Sequence, residues 1–218
     1  MTVYLIGGPP KCGKTTLAKT LSKKLSIPWI SADTLQNIVY SYTEEKDLPK
    51  YFPHIYLKGA TNDETYGKNS SKTLIQGYIG QAKTSYKAIS MVTETQIIDQ
   101  DDYIIEGYQV SPEIVDQIIK KFGNQNIKTI FLIKQDQNKF IEDIHKSTTP
   151  NDWIIRKTKE EETFTKIAKM IVEYSNYFEE QARKYSFHVL NMDQDFENQI
   201  EAAINLLTKP NASNQIEE

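Results

Sequence analysis

Near the N-terminus, Gly8-Pro9-Pro10-Lys11-Cys12-Gly13-Lys14-Thr15 matches the pattern G-x-x-x-x-G-K-[ST] in full. Each residue type in it has a physical task. Glycines let the backbone wrap a phosphate with no side chain in the way. Successive N–H groups, together with the positive end of a following helix, bind the anion. Proline lacks an N–H, but Pro9 and Pro10 both precede Lys11, so the donors from Lys11 to Thr16 survive. Lys14 is expected to reach the β and γ phosphates, and the Thr15 hydroxyl to hold magnesium. The expected nucleotide contacts are Gly8, Lys11, Cys12, Gly13, Lys14, Thr15 and Thr16, with ATP and Mg2+ as the bound pair.

Other residues offer chemistry around such a loop. Asp33 follows a short apolar run and can serve as general base or acceptor-orienting group. Asp33-Thr34-Leu35-Gln36 also fits a capping box, so a purely structural helix cap stands beside the catalytic role. Glu106 ends another apolar run. It can bind magnesium through water, hold an acceptor hydroxyl, or simply be a solvated strand end. Arg156 has a planar fork suited to a transferring phosphate, with Lys146, Lys157 and Lys159 as neighbours and an ordinary surface role as the alternative. Cys12 adjoins a helix N-terminus and two lysines, which favour a reactive thiolate.

The elements that must position these groups are legible from periodicity. Val3–Ile6 reads as a buried strand and Lys14–Leu25 as a helix with Leu17, Ala18, Leu21 and Leu25 at helical spacing. Ile27–Ser31 is a second strand, with a helix starting near Asp33. Residues 43–72 are polar, carry two prolines and two glycines, and read as an insertion or substrate-facing loop. One long helix is expected over 73–97. Tyr103–Glu106 is a third strand, Ser111-Pro112-Glu113 a helix start, and Ile127–Ile133 a fourth strand. Residues 145–162 form a polar excursion read as a lid, followed by a long helix from Phe164 to Tyr185. Phe187–Asn191 and Phe196–Leu207 complete the alternation, and 209–218 is read as a disordered tail. Strands alternating with helices predict a parallel sheet covered on both faces, with ligands at the carboxyl ends of its strands. That rim collects the loop after Ile6, Asp33, Glu106 and the start of the excursion in a single domain over 1–208.

Bulk properties exclude several classes. The chain has 218 residues and a formal net charge of −3, with no basic stripe for nucleic acid or for a membrane surface. No stretch approaches a membrane span, and the apolar N-terminal run is too short for a signal peptide. One cysteine allows no intramolecular disulfide, which suits a reducing, cytoplasmic compartment. Of 26 basic residues only Arg156 and Arg183 are arginine, so an arginine kept against that bias draws notice. The three histidines are scattered and suggest no structural metal. The expected partners are a nucleoside triphosphate and a small-molecule acceptor, and the chain is expected to be a monomer or homodimer.

The phosphate loop, Trp29-Ile-Ser-Ala-Asp33 and Ile104-Ile-Glu-Gly-Tyr-Gln-Val-Ser-Pro112 together resemble the phosphate-loop kinases of the adenylate-kinase-like group. The closest resemblance is to the branch containing 2-phosphoglycerate kinase, chloramphenicol phosphotransferase and zeta-toxin-like kinases, and it covers residues 1–135. It implies a five-stranded sheet of order 2-3-1-4-5 in a three-layer α/β fold, a lid, and an aspartate after the second strand as acceptor base. By the same analogy the nucleotide base belongs near 191–195. A GTPase wants an Asn that Ile133-Lys-Gln-Asp136 lacks, and an AAA-type motor wants paired acids and arginine fingers that are not visible. The expected activity is ATP-dependent transfer to a small-molecule hydroxyl. The alternatives are a nucleoside monophosphate kinase and a nucleotide-binding regulator with little turnover. The shortage of arginine argues against an acceptor with several anionic groups.

Overall fold

A computed structural model describes residues 1–209; the tail from 210 onward lies outside the described residues. Strand β1 (Val3–Gly7) is buried along its whole length, and fully burying each such aliphatic side chain contributes about 1.5–3 kcal/mol. It runs through the phosphate loop into α1 (Lys14–Leu25), whose inner face is Leu17, Ala18 and Leu21. Strand β2 (Trp29–Ser31) leads directly into α2 (Ala32–Ser41). After a 3-10 turn at Glu45–Asp47 come α3 (Leu48–Tyr51), α4 (Pro53–Leu57) and α5 (Asn62–Lys68), then α6 (Ser71–Thr84) and α7 (Tyr86–Asp99). Strand β3 (Tyr103–Glu106), α8 (Pro112–Phe122) and β4 (Ile127–Ile133) follow. The chain ends with α9 (Gln137–His145), α10 (Trp153–Lys157), α11 (Glu161–Lys184), β5 (His188–Asn191) and α12 (Phe196–Thr208).

The sheet is parallel with order β2-β3-β1-β4-β5, as the sequence resemblance implied. Ile6 lies opposite Glu106 on one side and Ile130 on the other, while Ser31 lies opposite Glu106. This register lines up the carboxyl ends of β1, β2 and β3, so the phosphate loop, Glu106 and the start of α2 meet at one rim. The 24-residue α11 buries Phe164, Ile167, Ile171, Tyr174 and Phe178 at helical spacing against β4 and the α6 side of the fold.

Three expectations need correction. Residues 43–72 are not a loop: they form a 3-10 turn and three short helices whose four to seven residues are too few to show a period. The long helix over 73–97 is two helices, broken at buried Ser85, whose N–H bonds the carbonyl three residues back. Helix α9 was not anticipated. Only Phe140 and Ile144 are buried on it, and its start is set by Asp136, whose carboxylate accepts from the Lys139 N–H at 2.9 Å. The half-match to a guanine-reading motif at 133–136 is thus a helix cap.

His54 is the polar residue most firmly built into the insertion. It is 3% exposed and stacks on Tyr78 of α6, with ring centroids 3.6 Å apart. Burial, aided by nearby Lys58, pushes its pKa from 6.5 down to about 3. The unfolded chain takes up this proton below 6.5, the folded chain only near 3. The stability His54 contributes is therefore complete above pH 6.5 and is lost as the pH falls from there toward 3. Between pH 7 and pH 5, urea unfolding of the native sequence should lose about 2 kcal/mol more than that of His54→Phe, which keeps the ring stack. Equal losses would mean that the His54 environment admits the proton.

Candidate active site

Two close approaches shape the phosphate loop. A Cβ on Gly8, whose φ is +132°, would lie 2.0 Å from the Leu132 carbonyl oxygen of β4. A Cβ on Gly7 would lie 2.1 Å from the Val110 carbonyl oxygen. Beyond them Lys11 (φ 65°) and Gly13 (φ 89°) take left-handed backbone conformations, the kind of turn that forms concave arrays of N–H donors. The loop opens into a cleft of about 560 Å³. Lys11, Lys14, Thr15, Asp33 and Glu106 all line it. Sequence positions 11 and 106 are thereby brought to one surface.

Lys14 is only 7% exposed, and its Nζ donates to the Pro9 carbonyl at 2.5 Å. Thr15 Oγ1 donates to Glu106 Oε1 at 3.1 Å. Glu106 is no solvated strand end, being 3% exposed. Burial pushes its carboxyl up, opposed by the Lys14 charge and by the Thr15 and Ser31 hydroxyls. Lys11 pairs with Asp152 at 2.5 Å, tying the phosphate loop to the segment before α10. Burial alone would raise the Asp152 carboxyl, but Lys11, the Ile154 N–H and the Ser147 hydroxyl outweigh it and hold the carboxyl below its ordinary range.

Asp33 is not the helix cap. Ser31 caps α2, its hydroxyl accepting from the Asp33 N–H at 3.3 Å, and the Asp33 carboxylate faces the cleft. A buried amide and phenol network holds that carboxylate. Gln109 Nε2 donates to Asp33 Oδ1 at 2.7 Å and to Gln36 Oε1 at 2.9 Å. Tyr108 donates to the same Gln36 oxygen at 2.6 Å and accepts from Gln81 Nε2 at 2.9 Å. Burial pushes the Tyr108 phenol well up, so it stays a donor. Gln36 was read as half of a capping box. Gln81 and Gln109 carried no signal, because Gln81 meets Tyr108, and Gln109 meets Asp33 and Gln36, only through the fold.

Other expected residues fall elsewhere. Arg156 is exposed, donates to Asn151 at 3.3 Å and lies outside the cleft, whereas its neighbour Lys157 lines it. Thr16 is exposed on α1. Trp153 lines the cleft, and its carbonyl accepts from Asn62 Nδ2 at 3.1 Å. Around the insertion, Tyr40 packs edge-on against fully buried Phe52, while Tyr42 and Tyr56 are exposed. The cleft itself is lined by Tyr66, Tyr78 and Tyr108 beside Trp153. The Phe196 ring, next to the 191–195 loop, closes against Gly13. Arg183 is an exposed last-turn cation paired with Glu179.

The fold and this rim define a phosphate-loop nucleotide-binding protein with the architecture of small-molecule kinases. A model of the ATPase family associated with various cellular activities (AAA) matches residues 4–133, and the chain belongs to that family. This corrects the expectation that set AAA proteins aside. Membership rests on the phosphate-loop half, although Glu106 is followed by Gly107 rather than by a second acid. Over 122 residues the chain is 25% identical to mevalonate-3-phosphate 5-kinase of Thermoplasma acidophilum, covering 55% of this chain and 56% of that protein. The chain thus spans about half the length of the curated relative it matches. In structure it is similar to shikimate kinase from Bacteroides thetaiotaomicron, with a TM-score of 0.52, 19% identity and 94% of each chain covered. It is similar also to a gluconokinase from Sinorhizobium meliloti, with a TM-score of 0.53, 10% identity and coverage of 94% and 90%. These likenesses are of fold. Among the described residues no helix is long and apolar enough to cross a membrane.

The Cys12 thiol contradicts its local sequence. It is fully buried, with Sγ 3.7 Å from the Pro10 carbonyl. Burial pushes its pKa up to about 11 in spite of Lys14 and Lys134. N-ethylmaleimide should therefore label native protein far more slowly than urea-unfolded protein, with little protection by Mg·ATP, as read by mass spectrometry. Fast stoichiometric labelling of the native chain would place the sulfur at the phosphates instead.

Proposed function

We propose that the protein is an ATP-dependent phosphotransferase that moves the γ-phosphate to a hydroxyl of a small molecule. The observation that carries this reading is the joining of phosphate loop and Asp33 in one cleft that runs on past them, walled by α4, α5 and α6. A regulator that only sensed nucleotide would need no chamber beyond the phosphates. The sequence motifs favour the 2-phosphoglycerate kinase-like branch, and the lone buried thiol suits a cytoplasmic setting.

In this reading the N–H groups from Lys11 to Thr16 hold the β and γ phosphates, with Gly8 and Gly13 keeping the backbone close. Lys14 leaves Pro9 to neutralise the charge that builds on the transferring group. Asp33, oriented by Gln109, accepts the acceptor's hydroxyl proton. The acceptor oxygen bonds to the γ-phosphorus as the bond from that phosphorus to the β–γ bridging oxygen breaks, and ADP leaves. Magnesium fits the oxygen donors Thr15 and Glu106, which suit a hard cation. Among the described residues there is no cluster of three or more His, Cys, Asp or Glu to cage a metal, so phosphate and water would complete its shell. When bound, the ion would screen phosphate charge. Residues 145–162 serve as the lid. Arg156 reaches the phosphates only if α10 swings inward, since Lys157 holds the cleft side of that helix.

Lys14→Met, which keeps the buried stem, should cut transfer from labelled ATP by about 10²–10³-fold. Asp33→Asn should cut it by about 10²–10⁴-fold with little change in melting temperature, because Ser31 is the cap. Full activity in either folded variant would remove the assignment at this cleft.

A further inference from the structure

The cleft's cations divide into two kinds. Lys11 is paired with Asp152, and Lys14 is bonded to Pro9 within the phosphate loop. Lys58, just after α4, and Lys157, on α10, also line the cleft, yet neither side-chain ammonium has a hydrogen bond or ion pair to any described residue. They belong to different segments, so their meeting is a product of the fold and not of a charge run. Both side chains are exposed along the cleft, although neighbouring groups crowd Lys58 enough to desolvate its ammonium in part. That crowding, then the Lys157 charge, depresses the Lys58 ammonium, with Asp33 opposing. Two ammonium groups near one another, with only the Asp33 carboxylate acting on one of them, favour a ligand that brings a further anion. His54 adds no charge at neutral pH, because it is buried and neutral. A second, independent feature lies on the same wall. Gln81 is 2% exposed and lines the cleft, and its Oε1 has no hydrogen-bond partner. A buried amide oxygen left open in this way calls for a donor such as a hydroxyl.

We propose that the phosphate acceptor is a small hydroxylated anion, a carboxylate or a phosphate ester, whose charge sits between Lys58 and Lys157 and whose second hydroxyl donates to Gln81 Oε1. The proposal rests on the phosphotransferase reading and narrows its acceptor. It also reverses the inference drawn from the scarcity of arginine: two lysines do the anchoring. The same 560 Å³ must hold the end of the triphosphate, which limits the acceptor to a small molecule. Charge-assisted hydrogen bonds to such an anion are each expected to carry about a tenfold effect on affinity.

The test is calorimetric binding to the full chain saturated with Mg·AMP-PNP, using matched sets: glycerol, glycerate and glycerol 3-phosphate; then glucose, gluconate and glucose 6-phosphate. The expected result is that anionic members bind at least tenfold tighter than their neutral partner. The carboxylate and phosphate arms show which anion is preferred. Lys58→Met and Lys157→Met should each lower the anionic-to-neutral affinity ratio about tenfold, and Lys58→Arg should restore most of it. Gln81→Leu should weaken the hydroxylated anions. Equal affinity for neutral and anionic members, no binding by any anion, or an undiminished ratio in both methionine variants would each overturn the proposal. If Lys58 served only to position Asp33, its loss would slow transfer to neutral and anionic acceptors alike without changing the ratio, which also overturns it. Lysine-dependent anion binding with no transfer from labelled ATP would leave the anion site standing and remove the kinase reading alone.

Discussion

Two missing methyl groups hold the site together. Gly7 and Gly8 let the end of β1 press against the Val110 and Leu132 carbonyls, at separations no Cβ permits. The approach at Gly7 seats the turn that follows β3, and that turn carries Gln109, which holds Asp33. The approach at Gly8 sets the phosphate loop on the end of β4. Nucleotide side and acceptor side are thus registered to one another through backbone contact, the stiffest kind available to a protein interior.

Polar groups in and around the cleft are satisfied unevenly. Beneath Asp33, Gln36, Gln109 and Tyr108 share a buried network in which one amide oxygen accepts twice. Such a network is costly if any member is lost and rigid while all are present. Lys134, just past β4, is paired with Asp143 at 2.5 Å and so is withdrawn from the cleft. Elsewhere partners run out: the buried Gln81 keeps an open oxygen, and the exposed Lys58 and Lys157 keep their donors. Within the network itself Gln109 Oε1 also lacks a partner, so satisfied and open polar groups sit side by side.

What the sequence disclosed depended on whether the cause was local. The phosphate loop is contiguous, so its eight residues could be read directly. Strands β3 and β4 and the cap at Ser111 were found at or within a residue of their observed places, because apolar runs and capping side chains act over a few positions. The acceptor wall could not be read. Gln36, His54, Lys58, Gln81 and Lys157 converge from four separate segments, and the helices that carry His54 and Lys157 are five residues long. Cys12 shows the opposite failure: its neighbours in sequence favour a thiolate, but burial outweighs them. Asp33 was half read: it lies at the cleft as expected, and the capping role belongs to Ser31.

The segment from Trp153 to Glu160 is fastened to α5 rather than to the sheet. Asn62 Nδ2 donates to the Trp153 carbonyl and, at 2.9 Å, to the Thr158 hydroxyl, while the Asp63 carboxylate accepts from the Lys159 and Glu160 N–H groups. Its tie to the nucleotide side is the ion pair between Lys11 and Asp152. In the proposed phosphotransferase reading, lid and acceptor wall are therefore one jaw. While these bonds hold, that jaw cannot shut over a triphosphate without dragging the acceptor chamber along with it. A kinase with two separate covers can close on ATP alone and waste it on water; a single jaw makes closure answer to both occupants at once.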